Sequence, residues 1–346
     1  MPTPRDPATL MAAARLYYLQ GRSQAEVATA LGTSRSNVSR MLSEALKQGI
    51  VEIRIHDPAG REHQLEERIR EAFGLREVRV AHVGNAAGTS LEEKVGTQAA
   101  RLLIENLTDG MTVALSWGHA LQSMVYATTA QHEHYRLNLV QLVGGLSSIS
   151  NEVSGQELVR ELAVRLGAEY RFLHAPAVLE SAVSRDALMA ESSISAALAS
   201  AGEADIAFVG IGAPTAGSSS AILESLKLSA DEEKAFWAAG PVGDIAARYY
   251  DAEGRQVRGA VSDRVLAISL DQLARIPHVV GVAQGRAKSR GVLGAIRGHH
   301  IDSLVCDEVL ARSLLADARA DAGDTSGPAP DLATDLTAVV PDTKGA

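Results

Sequence analysis

The sequence predicts an α/β protein in two parts: an N-terminal helix-turn-helix with a winged extension, then a doubly wound, mostly parallel α/β domain. Three observations predict it. Within residues 24–45 a small residue, a glycine and an apolar residue fall at Ala28, Gly32 and Val38, the spacing at which two helices cross through a tight turn. From Glu77 onward short β-rich runs alternate with longer helical patterns, as parallel strands alternate with their crossover helices. Several of the β-rich runs end in glycine turns, at Trp117-Gly118, Gly144-Gly145, Gly210-Ile211-Gly212 and Gln284-Gly285.

The chain has 346 residues, enough for two domains, and its 46% hydrophobic and 22% charged residues are an ordinary globular balance. No apolar run approaches the roughly 18 residues that span a bilayer. Residues 1–10 lack the basic start and apolar centre of a signal peptide. Cys306 is the single cysteine, which leaves no intrachain disulfide and no cysteine-built zinc site. A cytoplasmic address without a membrane partner is expected. The net charge of −9 is uneven: residues 1–57 hold seven Lys/Arg against five Asp/Glu, and the other 289 hold 26 against 37. An acidic body with a mildly basic head suits a chain that meets a polyanion at one end only.

In the head, predicted to span residues 1–57, helical spacing covers 7–18, 24–30 and 34–48. Val27, Leu31, Met41 and Leu42 join Ala28 and Val38 as its buried contacts. Ser34 is placed to N-cap the second helix of the motif through the amide of Asn37. The exposed face then reads Arg35, Ser36, Asn37, Ser39 and Arg40, with Lys47 further on. Such side chains contact phosphates and base edges, since arginine grips guanine and asparagine grips adenine bidentately. Ser34 through Arg40 therefore form the expected DNA-contacting surface. Ser23 and Gln24 open the preceding helix, where they reach either the DNA backbone or the helix's own first amides. The alternating run VEIRI at 51–55 predicts the half-exposed strand of a wing, with Arg54 on it.

Residues 58–75 read as a linker helix, with Leu65, Ile69 and Phe73 along one face, able to pack on the next domain or against its copy in a dimer. The α/β domain is expected over 76–318. Its strand candidates are 78–83, 112–115, 137–143, 170–173, 206–209, 265–268, 279–282 and 303–306. Helices are expected over 91–106, 155–166, 288–297 and 308–316. The tail from 319 to 346, rich in Asp, Ala, Gly, Pro and Thr, is expected to be disordered.

Ligands of such sheets bind beyond the carboxyl ends of the strands, where loops lead into helix N-termini. Ser116, Trp117 and Gly118 fit that place, with amides able to face an anion or a hydroxyl-rich ligand. Trp117 offers either a flat face to a ring or a buried core side chain. Gly144 and Gly145, and likewise Gly210 and Gly212, would let a ligand approach the backbone, although tight strand-to-helix packing also explains the second pair. Gln284, Gly285 and Lys288 are the strongest candidates: a lysine where a helix starts after a buried strand adds full charge to helix-end amides. Asp244 and Asp263 are candidate acceptors for ligand hydroxyls.

The head, LYYLQGRSQAEVATALGTSRSNVSRMLSEALKQGIVEIRI, resembles that of the SorC family of sugar-responsive transcriptional regulators. The resemblance continues through ALSWGHAL (114–121), VQLVGG (140–145), ADIAFVGIG (204–212), VGDIAARYYDAEG (242–254) and the block from Ile276 to Leu315, so that it covers about residues 8–315. It implies an effector domain similar to the sugar-phosphate isomerase/glucosamine-phosphate deaminase fold, recast for binding. It also implies homodimers or homotetramers on operator DNA, a carbohydrate or sugar-phosphate effector, and a phosphate-gripping role for Lys288. One departure matters. Two positions after the Trp-Gly pair, where family members commonly carry Thr or Ser, this chain has Ala120, preceded by His119, which could stand in as a donor. The missing hydroxyl leaves room for an unphosphorylated polyol.

Two rival readings remain at this level. An isomerase or deaminase with a DNA-binding head would need a poised acid/base pair, and Asp244, Asp263 and His119 are available but unpaired in the sequence. A large domain that only oligomerises would not need glycine loops at four strand ends. No cofactor is expected, and no metal, since His132/His134 and His299/His300 have no acidic or cysteine ligand at ligand spacing.

Overall fold

The computed structural model describes residues 6–51, 60–82, 89–129, 136–146 and 154–321. The chain divides into two compact units, Met1–Asp57 and Pro58–Ala346.

The first unit holds α1 (Pro7–Ala14), which runs on through a π-helical turn, then α2 (Gln24–Ala30) and α3 (Arg35–Lys47). In α3 the apolar residues Val38, Met41, Leu42 and Ala45 recur at helical spacing and are all buried. They meet Val27 and Ala28 of α2 and Leu10 and Ala13 of α1 in one small core. Gly32 has φ +60°, so the turn between α2 and α3 uses the left-handed conformation that glycine adopts without penalty. Ser34 caps α3 as expected, its hydroxyl accepting from the Asn37 amide at 3.2 Å. Ser34→Ala should therefore lower the stability of this unit by about 1 kcal/mol, readable in urea unfolding. An unchanged midpoint would show that water serves the amide as well. The expected wing, residues 52–55 with Arg54, lies outside the described residues.

The second unit begins with α4 (His63–Phe73), whose Leu65 and Ile69 are buried in the main core. Of the two roles open to this helix, it packs on the unit that follows. There follow β1 (Glu77–Ala81), α5 (Leu91–Asn106), β2 (Thr112–Leu115), α6 (His119–Ala127), β3 (Asn138–Gln141), α7 (Gly155–Leu166) and β4 (Glu169–Arg171). The chain then forms α8 (Ala182–Ala190), α9 (Ser192–Gly202), β5 (Ile206–Gly210), α10 (Gly217–Ser225) and α11 (Ala230–Ala238). A hairpin of β6 (Gly243–Ile245) and β7 (Arg248–Tyr250) precedes α12 (Ala260–Asp263), α13 (Leu270–Leu273), β8 (Val279–Val282), α14 (Ser289–Arg297), β9 (Ser303–Asp307) and α15 (Glu308–Asp321). The last helix thus runs three residues into the expected tail, and 322–346 lie outside the described residues.

Seven strands form one sheet in the order β1-β9-β8-β5-β2-β3-β4, every pairing parallel. The apolar composition of β8 (VVGV) and β5 (IAFVG) fits strands covered on both faces. From β2 the chain goes to β3 and β4 on one side, then returns to β5 on the other side of β2 and continues to β8 and β9. The strand order therefore reverses between β2 and β5, which places a crevice beyond their carboxyl ends.

Two expectations need correction. Residues 265–268 make no strand; they form only single bridges, Val143 with Ala267 and Val178 with Val265. The hairpin β6–β7 was not among the expected strands and pairs antiparallel outside the main sheet.

Candidate functional site

The crevice between β2 and β5 is a cleft of about 270 Å³. Its walls are loops that leave three strands: Trp117, Gly118 and His119 after β2, Gly210 to Ala213 after β5, and Gln284, Ala287 and Lys288 after β8. The α10 start, residues 216–219, closes a fourth side, with Asp244 and Ala246 of the hairpin beneath and Glu92 of α5 across. Two helices, α6 and α10, begin at the cleft, and neither has a side-chain cap on its first amides. Uncapped helix starts present N–H donors and partial positive charge, which suits an anion or a ring of hydroxyls.

Lys288 ends a short 3-10 turn (Arg286–Lys288) that leads into α14. Its amide donates to the Gly285 carbonyl at 3.2 Å, while its ammonium makes no hydrogen bond or ion pair among the described residues. Burial pushes its ammonium below the usual lysine range, while Asp244 and Glu92 pull it back up. Asp244 is fully buried; one of its carboxylate oxygens accepts from Ser219 Oγ at 2.5 Å and the other from the Ala247 amide at 3.2 Å. Desolvation raises its carboxyl, against the lowering effect of those two bonds and of Lys288. The cleft thus holds one cation without a partner and one carboxyl that resists ionisation. Gln284 Nε2 donates to Glu92 Oε1 at 2.8 Å, and its Oε1 is buried with no partner among the described residues. A ligand hydroxyl would satisfy that oxygen.

The hairpin that carries Asp244 is held under strain. Its turn residues Ala246 and Ala247 have φ of 52° and 62°, which costs an alanine about 1–2 kcal/mol each. Arg248 offsets this by donating from its buried guanidinium to the carbonyls of Ser262, Val265, Ala267 and Ile268. Gly212 has to be glycine for another reason. A Cβ there would fall 2.0 Å from Asp244 Oδ1 and 1.9 Å from Ser219 Oγ.

Several expected site residues lie elsewhere. Ser116 is buried beneath the cleft, its hydroxyl accepting from the Gly210 amide at 3.1 Å, so it ties β2 to β5 instead of facing a ligand. Trp117 reaches the wall, but its indole is buried and donates to the Gly144 carbonyl at 3.2 Å. The core role, not the open ring face, is the one it takes. Gly144 and Gly145 follow β3, one strand away from the reversal, and line no part of the cleft. A Cβ on Gly144 would lie 2.5 Å from the backbone of Pro176, so this glycine serves packing. Gly285 also stands back from the cleft, its amide donating to Asp307 Oδ2 at 2.5 Å. Asp263 is exposed and apart from it. Gly118, His119, Gly210, Gly212, Asp244, Gln284 and Lys288 are brought together. The residues missed by sequence reasoning are Glu92, Ala246, Ala287 and, after β5, Ala213 with residues 216–219. Only the last had a signal, a run of small and hydroxyl residues (APTAGSSS) directly after a strand.

His300 Nε2 bonds to the Gly254 carbonyl at 2.6 Å and its ring tilts against Tyr250. His132 and His134 lie outside the described residues.

In the first unit Arg35, Ser36, Ser39 and Arg40 are exposed along α3. Asn37 is half-buried, its amide donating to Thr33 Oγ1 at 2.7 Å, which directs it back to the turn. Ser23 is engaged in a capping box with Glu26, and half-buried Gln24 is the first residue of α2.

A helix-turn-helix with a cationic exposed face, joined to a parallel sheet with a polar cleft at its strand reversal, defines a ligand-responsive DNA-binding protein. Comparison with known proteins agrees. Residues 57–316 match the family model described as "Putative sugar-binding domain", and residues 14–48 match that of sigma-70, region 4. The sorbitol operon regulator of Klebsiella pneumoniae is 31% identical over 87% of this chain and 96% of its own. The deoxyribonucleoside regulator of Bacillus subtilis is 29% identical over 88% of this chain and 96% of its own. The crystal structure of full-length SorC from Klebsiella pneumoniae superposes with a TM-score of 0.68, at 30% identity, over 90% of this chain and all of that one. The chain belongs to the SorC family of transcriptional regulators with a sugar-binding domain, and its relatives are named as regulators, not enzymes.

Proposed function

We propose that this protein is a cytoplasmic homo-oligomer whose α3 contacts operator DNA and whose cleft takes a sugar, sugar phosphate or related polyol as effector. The observation that carries the reading is Lys288, a half-buried ammonium on the cleft wall without a partner, beside the unmatched Oε1 of Gln284. A ligand that brings both negative charge and hydroxyls would satisfy both groups. The names of two relatives, a sorbitol operon regulator and a deoxyribonucleoside regulator, favour the same ligand class. Ala120 leaves one hydroxyl fewer at the α6 start, while Ser218 and Ser219 bring hydroxyls to the α10 start.

The effector would act by favouring one arrangement of the oligomer over another, and effector and DNA would then change each other's affinity by the same factor. A thermal-shift panel of sugars, polyols and their phosphates tests the ligand class, because a ligand of the folded state raises Tm by mass action. No shift with any member would sink the reading of the cleft. For the other end of the molecule, Arg40→Ala should weaken operator binding by about 10- to 100-fold, in line with the loss of one base-contacting arginine. Fluorescence anisotropy on labelled operator measures it. Effector affinity should stay unchanged, and an equal loss of effector binding would refute this division of labour.

A further inference from the structure

At the β1 edge of the second unit, away from the cleft, three side chains converge whose positions are far apart in the chain. Glu62 immediately precedes α4, His82 follows β1, and Glu308 begins α15 directly after β9. His82 Nδ1 lies 2.5 Å from Glu62 Oε1 and 3.3 Å from Glu308 Oε2. One ligand atom from each residue falls within 4.8 Å of the others, and all three side chains are half-buried.

The backbone holds this cluster in place. Glu62 donates its amide to Val80 and His82 donates its own to Gly60, so the segment 60–62 runs antiparallel beside the end of β1. The opposite edge of β1 pairs with β9, with Ala81 opposite Asp307. The 60–62 segment and the ends of β1 and β9 therefore deliver the three side chains to one point. Arg312 donates to Glu308 Oε1 at 2.6 Å, and Oε2 is the oxygen 3.3 Å from His82. Asp307, next in line, is not available, because its carboxylate accepts from the amides of Gly285, Val309 and Leu310.

We propose that Glu62, His82 and Glu308 bind one divalent first-row transition cation of the Zn²⁺ or Mn²⁺ kind. One imidazole nitrogen and two carboxylate oxygens on rigid elements suit such ions, whereas Mg²⁺ and Ca²⁺ prefer an all-oxygen shell. Bonds of about 2.0–2.2 Å need donor atoms roughly 3–3.5 Å apart, which the observed cluster reaches with small side-chain rotations. Water fills the remaining positions. The ion clamps the segment by which the chain enters the second unit to the edge of its sheet, and it binds the deprotonated imidazole, so affinity falls as the solution is acidified.

The test uses the full chain, stripped with a chelator and dialysed, titrated with ZnCl₂ and separately with MnCl₂ by calorimetry. One saturable equivalent per chain is expected, weakened at least tenfold in His82→Ala and in the near-isosteric Glu62→Gln and Glu308→Gln, and unchanged in His299→Ala. MgCl₂ should give no comparable binding. Circular dichroism of each metal-free variant establishes that it is folded, and should His82→Ala fail there, the two glutamine variants decide. Absence of a saturable equivalent, or an equivalent that survives all three substitutions, overturns the site and leaves an imidazole held between two carboxylates as a clasp.

Discussion

Replacing Arg248 by methionine is expected to lower the stability of the second unit by about 3–5 kcal/mol, far beyond the effect of an ordinary substitution. The guanidinium donates four hydrogen bonds, at 2.9 Å to Ser262 and Ala267, 3.2 Å to Ile268 and 3.4 Å to Val265, all to backbone carbonyls. Three of those carbonyls lie in the apolar 265–268 stretch, whose strand pairing is reduced to two single bridges, so the arginine takes the place of the missing ladder there, and the fourth belongs to α12. Burial pushes Arg248 down to about 10, with Arg185 lowering it further and Asp263 raising it, and the side chain is still charged at neutral pH. Methionine relieves the cost of burying that charge but leaves carbonyls without donors, each worth about 1–3 kcal/mol when water is shut out. Urea unfolding followed by circular dichroism measures the change. Arg248→Lys should recover part of it, since an ammonium keeps the charge and some of the donors. A loss below 1 kcal/mol for the methionine variant would mean that the segment re-pairs or that water enters. Because β6 and β7 form one hairpin, the same substitution should also loosen Asp244 and weaken ligand binding in whatever fraction remains folded.

Arg248 also illustrates where the sequence could be read and where it could not. The helix-turn-helix is legible because every part of it is local: Ala28, Gly32, Ser34 and Val38 sit within one short stretch, and each does there what its residue type permits. The parallel strands are legible for a similar reason, as apolar runs too short for helices between stronger helical patterns. The 265–268 run has that same composition, and only the structure shows its carbonyls given to an arginine from another element. The hairpin at 243–250 carries no turn signal, since positive φ falls on Ala246 and Ala247 where Asn or Gly would be expected. Within the cleft, Lys288, Gln284 and Gly212 are legible because they follow strands, and the strand-end rule finds them. The rule does not say which strand ends meet, however. Gly144-Gly145 and Gly210-Ile211-Gly212 look alike in sequence, yet the order of strands leaves the first beside β3 and brings the second to the reversal. Glu92 comes from a helix start on the opposite wall, and no local pattern separates it from the other acidic residues of a first helical turn.

The second large effect concerns Lys288. Lys288→Met should weaken binding of a phosphorylated effector by about 100-fold, equivalent to ~3 kcal/mol, because the loss of a desolvated charge partner leaves the anion uncompensated. Binding of a free polyol should fall less than tenfold, which makes the ratio of the two a direct reading of the ligand class. The pH profile gives a second signature. Burial holds the Lys288 ammonium below its ordinary value of 10.5, so in the free protein it loses its proton at a lower pH than an exposed lysine does. With a folded value below the unfolded one, Lys288 by itself makes the ligand-free protein gain stability as pH rises through that interval, and Asp244, raised from 3.8, makes it lose stability as pH rises above that value. A bound phosphate favours the charged lysine. Above the free-state value, binding must therefore take up a proton, and affinity drops about tenfold for each further pH unit. Titration calorimetry on the alkaline side of neutrality should show that onset at a lower pH in the wild-type protein than in Lys288→Arg, whose guanidinium stays charged. A flat profile together with an unaffected methionine variant would remove Lys288 from the ligand's path. The unmatched oxygen of Gln284 and the uncapped starts of α6 and α10 would then be left to hold a neutral, hydroxyl-rich effector, for which Ala120 at the α6 start leaves room.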